Sequence, residues 1–362
     1  MEKGMKRRDI MEKIETKIIK VNEINPEEEL ILEGAKFIKE GKLVAFPTET
    51  VYGLGANGLN EEAVKEIFVA KGRPQDNPLI LHVSSIEDIR PLVKSVSKEA
   101  EILMKKFWPG PLTLLFKKSK KVPNIITAGL DTVAIRMPNN PIALGLIKNS
   151  GMPIAAPSAN TSGKPSPTSA DHVIEDLYGK VHMIIDGGST GVGLESTVLD
   201  LTEEIPMILR PGAITLEDLQ SIIPNVEEDL SIIKNSNDIV PKSPGQKYRH
   251  YAPKADMLVF VGDVENMVME IKVQAKEFIS QEKTVGIMAT EETKDRYGQG
   301  IIISVGSRKN METIGHNLFN TIRLFDQKEV DIILAEGVEL SYIGTAIMNR
   351  LKKASGGNII KV

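Results

Sequence analysis

Residues 60–83 read "NEEAVKEIFVAKGRPQDNPLILHV", and the fold turns on this stretch. Its first half keeps apolar residues at helical spacing and stops at Gly72. Its second half is a proline-stiffened turn carrying Lys71 and Arg73, then a short apolar run that contains His82. A helix fed through a tight turn into a buried strand is the repeating unit of an α/β domain. The alternation continues on both sides. Upstream, "NPEEELILEGAKFIKEGK" predicts a helix with Asn25 as N-cap, Pro26 in the first position and Gly41 as the stop. "LVAFPT" predicts a strand. Downstream, "SIEDIRPLV" and "SKEAEILMKKFW" predict helices, and "LTLLFKK", "TVAIRMP", "MPIAAPSA", "MIIDGG", "STVLDL" and "MILRPG" predict short strands. The expectation is an α/β domain with a mixed, twisted sheet.

The pattern divides the chain. Residues 1–20 are basic and uninformative and read as an N-terminal extension. Residues 21–223 form the first domain. From Pro224 to Ala255 the periodicity dissolves into polar runs and prolines, which reads as an interdomain linker. Residues 256–362 alternate again, with strands expected at "MLVFVG", "TVGIMA", "GIIISVG" and "VDIILAEG" and long helices between them. This is a smaller, Rossmann-like parallel α/β domain. No glycine-rich fingerprint follows its first strand, so no dinucleotide is assigned to it.

Composition narrows the function. With 362 residues, two domains fit. A formal charge of -4 argues against a general polyanion binder, so any nucleic-acid contact needs a local patch. Cysteine is absent, which removes disulfides, thiolate nucleophiles and zinc–thiolate sites, and fits a cytoplasmic location. No run of about 18 apolar residues offers a membrane span.

Six polar clusters sit beside apolar strands. "FPTETVYGLGA" carries Thr48 and Thr50 before a Gly-x-Gly turn; a capped turn is its ordinary reading. Lys71 and Arg73 pair a point charge with a planar fork, a combination suited to phosphate, with Asn77 and His82 following. A lone histidine is more often a packed core residue. Arg136 stands inside the apolar strand "DTVAIRMP", where a cation needs an anion. "APSANTSGKPSPTSA" brings Ser158, Asn160, Ser166 and other hydroxyls onto a loop stiffened by three prolines. "DGGSTGVGLESTVLD" sets four glycines before Glu195, Ser196 and Thr197, with Arg210 ending a later strand; a glycine-rich turn beside a cation suggests phosphate. In the linker, "SPGQKYRHYAPKA" is basic and aromatic together, fit to close over an anion, to touch RNA, or to pack as a hinge. Together these suggest a nucleoside triphosphate site without Walker geometry, acting by positioning and charge neutralisation.

The segments "PTETVYGLG", "KGRPQDNPL", "PSANTSGKPSPT", "ESTV", "LRPGA" and "SPGQKYRHYAP" resemble the threonylcarbamoyl-AMP synthase family in its two-domain form, with a YrdC-like catalytic domain. The resemblance spans all but the N-terminal extension. It implies the reaction of L-threonine, bicarbonate and ATP to threonylcarbamoyl-adenylate and pyrophosphate. The product would feed a tRNA threonylcarbamoyl transferase complex acting on adenosine 37 of ANN-decoding tRNA, with weak tRNA contact possible. By the same analogy Thr50, His82, Arg136, Ala156 and Ser196 hold threonine. Arg73, Asn77, Thr132, Ser158, Ser166 and Arg210 bind the nucleotide, with Lys71 and Asn160 beside them. Lys71 and Arg73 are the expected catalytic cations, and Tyr248 is the expected cover. Mg2+ would be held mainly by phosphates and water. Two rival readings are weighed. An RNA-binding module of the same fold would use the basic stretch "KKFWPGPLTLLFKKSKK", but aromatics are 4% and no base-stacking signature appears. Hydrogenase-maturation chemistry would need zinc-binding cysteines, which the chain lacks.

Overall fold

A computed structural model of the chain describes residues 14–229 and 250–362. The first domain is built on strands β1 (Lys17–Lys20), β2 (Val44–Phe46), β3 (Gly53–Asn57), β4 (Ile80–His82), β5 (Leu112–Lys117), β6 (Thr132–Arg136), β7 (Ile154–Ala155), β8 (Met183–Asp186), β9 (Thr197–Asp200), β10 (Met207–Arg210) and β11 (Glu227–Glu228). They form one mixed sheet in the order β1-β8-β2-β3-β7-β4-β6-β5-β9-β10-β11. Helices α1 (Glu28–Lys39), α2 (Glu61–Lys71), α3 (Lys98–Phe107), α4 (Asn124–Thr127), α5 (Pro141–Ser150), α6 (Ala170–Leu177) and α7 (Leu216–Gln220) accompany it.

The period of two in the strands assigns side chains to two separate cores. Val44 and Phe46 of β2 pack with Ile31 and Ile38 of α1 and Ile142 and Leu146 of α5. Ala45, one residue between, packs with Val64, Ile67 and Phe68 of α2 and Leu103 of α3. Both faces of this sheet are therefore covered, which explains why its strands read as unbroken apolar runs.

Several expectations are corrected. The sheet starts inside the supposed extension, because Lys17–Lys20 pairs in parallel with β8. The first helix begins at Glu28, not at Pro26. Asn22 accepts from the Ile24 and Asn25 N–H groups, and Glu27 reaches back to the Asn22 N–H, so the chain turns before it coils. The Gly-x-Gly turn is in fact β3, antiparallel to β2. A Cβ at Gly55 would stand 2.7 Å from Phe46 Cε1 and 2.9 Å from Ile154 Cγ2, so glycine serves close strand packing there. Of "SIEDIRPLV" only a single 3-10 turn forms, at Glu87–Ile89, because Asp88 takes up the Ser84 and Ser85 N–H groups. Beyond Pro224, β11 still pairs with β10, so the sheet outlasts the expected domain end.

The second domain carries β12 (Asp256–Val261), β13 (Val285–Ala289), β14 (Ile301–Ser304), β15 (Ile332–Glu336) and β16 (Ile359–Lys361), with α8 (Val264–Ser280), α9 (Met311–Gln327) and α10 (Ile343–Ala354). All its strand pairs are parallel, as expected. The order β14-β13-β15-β12-β16 places the fourth strand between the second and the first, unlike the dinucleotide-binding order.

The two domains share a core and two buried ion pairs. Val51 and Leu194 of the first domain lie in one apolar cluster with Ile314 and Leu318 of α9 and Ile343 and Ile347 of α10. Arg350 of α10, fully buried, donates from Nε to Glu195 Oε2 at 3.1 Å and from Nη1 to the Pro211 carbonyl. Arg323 of α9 donates from Nη2 to Asp176 Oδ2 at 2.8 Å and to the Pro165 carbonyl at 2.7 Å. Burial alone would raise the Glu195 carboxyl; Arg350 and Arg210 outweigh it and hold it at about 2. The glycine-rich turn before Glu195 belongs to this interface. At Gly193, with φ of 78°, a Cβ would stand 2.4 Å from the His316 carbonyl oxygen of α9, so this glycine admits a helix.

Three substitutions test this by urea unfolding. Gly193→Ala should destabilise the chain by about 2–4 kcal/mol, through the clash and the left-handed backbone together. Gly191→Ala, whose added Cβ meets nothing nearer than 4.0 Å, should be close to neutral. Arg350→Met strands a buried carboxylate and should cost about 3–5 kcal/mol at pH 7. An unfolded glutamate titrates near about 4.3, so the lowered folded value stabilises the wild type above that pH and the stabilisation is lost as pH falls toward 2. The penalty of Arg350→Met should therefore be smaller at pH 4 than at pH 7.

Candidate active site

Strand register brings the site together. β4 and β6 run parallel with His82 opposite Arg136, and β5 runs antiparallel to β6 with Thr113 opposite Arg136. His82 and Arg136 are each 4% exposed at adjacent strand ends. Both line one cleft. Of the sequence-predicted residues, Thr50, Lys71, Arg73, His82, Arg136, Ala156, Ser158, Asn160, Ser166, Ser196 and Arg210 line this one cleft. Asn77 and Thr132 do not. Asn77 is buried beneath the turn, with its backbone carbonyl 3.4 Å from Arg73 Nη2, and Thr132 starts β6 at the far end from Arg136. Tyr248 lies outside the described residues.

One end of the cleft centres on Arg136. Its Nη1 donates to Thr50 Oγ1 at 2.8 Å and its Nε to the Gly110 carbonyl at 3.2 Å. Thr48 Oγ1 stands 2.8 Å from Thr50 Oγ1 and accepts from the Thr50 N–H, so the "PTET" turn fixes the hydroxyl that Arg136 uses. Arg136 Nη2 is 2.7 Å from Glu49 Oε2, an ion pair whose angles are not those of a hydrogen bond. Burial, and then Arg136, push His82 down to about 3, so it is a neutral imidazole in this site.

Beside it, Ser196 is held by three contacts. Its Oγ is 2.7 Å from Thr113 Oγ1 and accepts from Arg210 Nη2 at 3.1 Å, while Arg210 Nε donates to its carbonyl at 3.0 Å. Burial lowers Arg210 to about 10, partly offset by Glu195, so the guanidinium stays charged at neutral pH. Glu195 Oε1 accepts from Ser166 Oγ at 2.5 Å. Through Glu195, the interdomain Arg350 reaches the serine expected to meet nucleotide.

The proline-rich loop is shaped, not loose. Lys71, 2% exposed, donates from Nζ to the Ser158 and Asn160 carbonyls at 2.5 Å each. Burial, with Arg73 adding to it, moves its amine well below the ordinary lysine range. Lys71 thus ties down the turn, beyond being a free point charge. Asn160 Nδ2 donates to the Thr161 and Lys164 carbonyls, and Ser158 Oγ to Asn160 Oδ1. Asp176 gathers Lys164 Nζ at 2.6 Å and Arg323. Returning from the linker, His250 and Tyr251 line the cleft. Tyr251, at φ of 63°, packs on Phe319 of α9 with ring centroids 4.9 Å apart. Burial raises its hydroxyl, and Glu195 adds to the effect. Tyr248, the expected cover, lies outside the described residues, and its neighbours two and three positions on line the cleft.

Sequence reasoning missed Glu49, Arg323 and Arg350. Arg350 had a readable signal: it sits among Ile343, Ile347, Leu351 and Ala354, an arginine set in a buried helix.

Comparison with known proteins agrees with this geometry. The Sua5, YciO and YrdC family model, described as telomere recombination, matches residues 36–212. The model for the C-terminal domain of threonylcarbamoyl-AMP synthase matches residues 214–356. The threonylcarbamoyl-AMP synthase of Pyrococcus abyssi is 53% identical over 96% of this chain and 100% of its own length. That of Bacillus subtilis is 46% identical over 94% and 97%. The crystal structure of P. abyssi Sua5 complexed with L-threonine superposes with a TM-score of 0.91 at 53% identity, covering 95% of this chain and 99% of the other. The chain belongs to the threonylcarbamoyl-AMP synthase family.

Proposed function

We propose that the protein joins L-threonine, bicarbonate and ATP into L-threonylcarbamoyl-adenylate, releasing pyrophosphate. The observation that carries this reading is the convergence of Arg73, Arg136 and Arg210, from a turn and two different strands, on one cleft. Two anions have to meet in this reaction, a carbamate and a triphosphate, and their repulsion is the main obstacle. Arg136 receives the threonine carboxylate, with Thr50, His82, Ala156 and Ser196 around the amino acid. Arg73 and Arg210 face the phosphates, with Ser158, Asn160 and Ser166 as hydrogen-bond partners. Lys71 acts mainly by holding the 158–160 turn in place. The carbamate oxygen attacks the α-phosphorus, the bond to the β-phosphate oxygen breaks, and pyrophosphate carries the negative charge away.

Magnesium would arrive on the triphosphate. Among the described residues no group of three histidines or carboxylates stands where it could hold a metal ion. The one acidic residue lining the cleft, Glu195, is already shared by Ser166 and Arg350. Phosphate oxygens and water would therefore be its ligands, and its chemistry would be charge neutralisation. His250 and Tyr251 narrow the cleft from the linker side, which protects a hydrolysable adenylate from water. The product would serve a tRNA-modifying transferase. A cleft of this kind favours small-molecule synthesis over the RNA-binding alternative, which needs an open face of stacking aromatics. Among the described residues no helix is long and apolar enough to cross a membrane.

The direct test is pyrophosphate release from ATP and Mg2+ with threonine or bicarbonate omitted in turn. Release should require both; release that ignores both would make the protein an ordinary nucleotide hydrolase. Arg136→Ala should weaken threonine binding at least about 30-fold, the lower bound for truncating a buried charge partner. ATP binding, followed by calorimetry, should change little, and equal losses for both ligands would refute the carboxylate assignment.

A further inference from the structure

Threonine enters a neutral solution as an ammonium, whose nitrogen has no lone pair with which to attack a carbon. The residues placed around it so far supply no acceptor for the proton. His82 is neutral but strongly resists protonation in its buried position beside Arg136. Lys71 is committed to two carbonyls, and Glu195 to Ser166 and Arg350.

Glu49 is different. It stands between Thr48 and Thr50 and, without being part of the cleft wall itself, meets Arg136, which is. Its side chain is 13% exposed, and its carboxylate lies 2.7 Å from Arg136 Nη2. Neither of its oxygens meets a hydrogen-bond donor, although both are buried. A buried carboxylate without donors is costly, and such an orphan calls for an explanation. The zwitterion of an amino acid supplies what is lacking. Its carboxylate and ammonium share one carbon, so their partners must also lie side by side, as Arg136 and Glu49 do.

We propose that Glu49 receives the α-ammonium of threonine and takes its proton, freeing the amine for carbamate formation. The inference rests on the reading of the reaction given above. The step balances as follows. One ammonium proton passes to a Glu49 oxygen, and the nitrogen lone pair forms the N–C bond to bicarbonate. The C–OH bond breaks, and the hydroxide leaves as water with a second proton from nitrogen. The products are the N-carboxylate of threonine, water and a neutral Glu49. Glu49 gives the proton up to water once the product has left the cleft, before the next turnover. The charged and titratable groups around this step are Arg136 of β6, His82 of β4 and Arg210 of β10. From α9 comes His316, whose Nδ1 is 2.9 Å from the Gly191 carbonyl, beside Val192, whose N–H donates to the Glu49 carbonyl.

The test compares wild type, Glu49→Gln and Glu49→Asp in the full chain. Pyrophosphate release is followed from pH 6.5 to 9 with saturating ATP, Mg2+ and bicarbonate, and threonine binding is measured by calorimetry. In Glu49→Gln the rate at pH 7 should fall about 100-fold or more. Only threonine already deprotonated in solution can then react, so the deficit should shrink about tenfold per pH unit below the amine pKa. Glu49→Asp keeps a carboxylate and should show a smaller deficit that does not vary with pH. Threonine binding to Glu49→Gln should stay within about tenfold of wild type, because Arg136 is untouched. A Glu49→Gln deficit that is constant with pH, activity within threefold of wild type, or binding lost beyond that range would overturn the proposal. Failure of wild type itself to require threonine and bicarbonate would instead reject the reaction.

Discussion

A carboxylate inside a protein keeps its charge only while a cation stays beside it, and this protein places two such cations in the other domain. Glu195 relies on Arg350 and Asp176 on Arg323, across sequence separations of 155 and 147 residues. The Ser166 end of the cleft hangs on these contacts. Glu195 sets Ser166, Asp176 sets Lys164 and the turn at Thr161, and Arg210 braces Ser196 from the other side. Without the second domain each carboxylate would lose its buried guanidinium, leaving Asp176 with Lys164 and Glu195 with Ser166, at a cost larger than a typical surface change.

The cleft shows how charge is tuned by position rather than by number. Lys71, Arg136 and Arg210 are all nearly buried, yet they do different things. Lys71 spends its donors on carbonyls and shapes a loop. Arg210 is locked onto Ser196. Arg136 is fixed on two sides and keeps one nitrogen near Glu49. A site built this way is organised before ligands arrive, so little reorganisation remains for the reaction itself.

The fold was largely legible in the sequence because helices and strands alternate with strong punctuation, as at Gly72, which takes the left-handed conformation that ends α2. His82 and Arg136 were legible because a polar group in a buried strand needs a reason. The glycine misreadings share one cause. Gly53, Gly55 and Gly193 looked like turn or phosphate glycines, but each makes room for a residue of another element: Ala156, Phe46 and His316. Nothing local records such a partner. The same holds for Arg350, whose role depends on a loop 155 residues away, and for the cover over the cleft, where a block of two tyrosines, an arginine and a histidine does not say which of them turns inward.

The buried pairs also constrain how this architecture can be taken apart. The linker suggests two modules joined by a tether, each free to be lost or exchanged. Asp176 and Glu195 deny that freedom, since the first domain is not chemically complete at its own boundary. A lineage shedding the second domain would have to replace the guanidinium that each acid loses, or remove the acid's charge beforehand. Loss of the appendage and repair of the remainder cannot come in arbitrary order. What looks like a detachable half is, in evolutionary terms, a commitment.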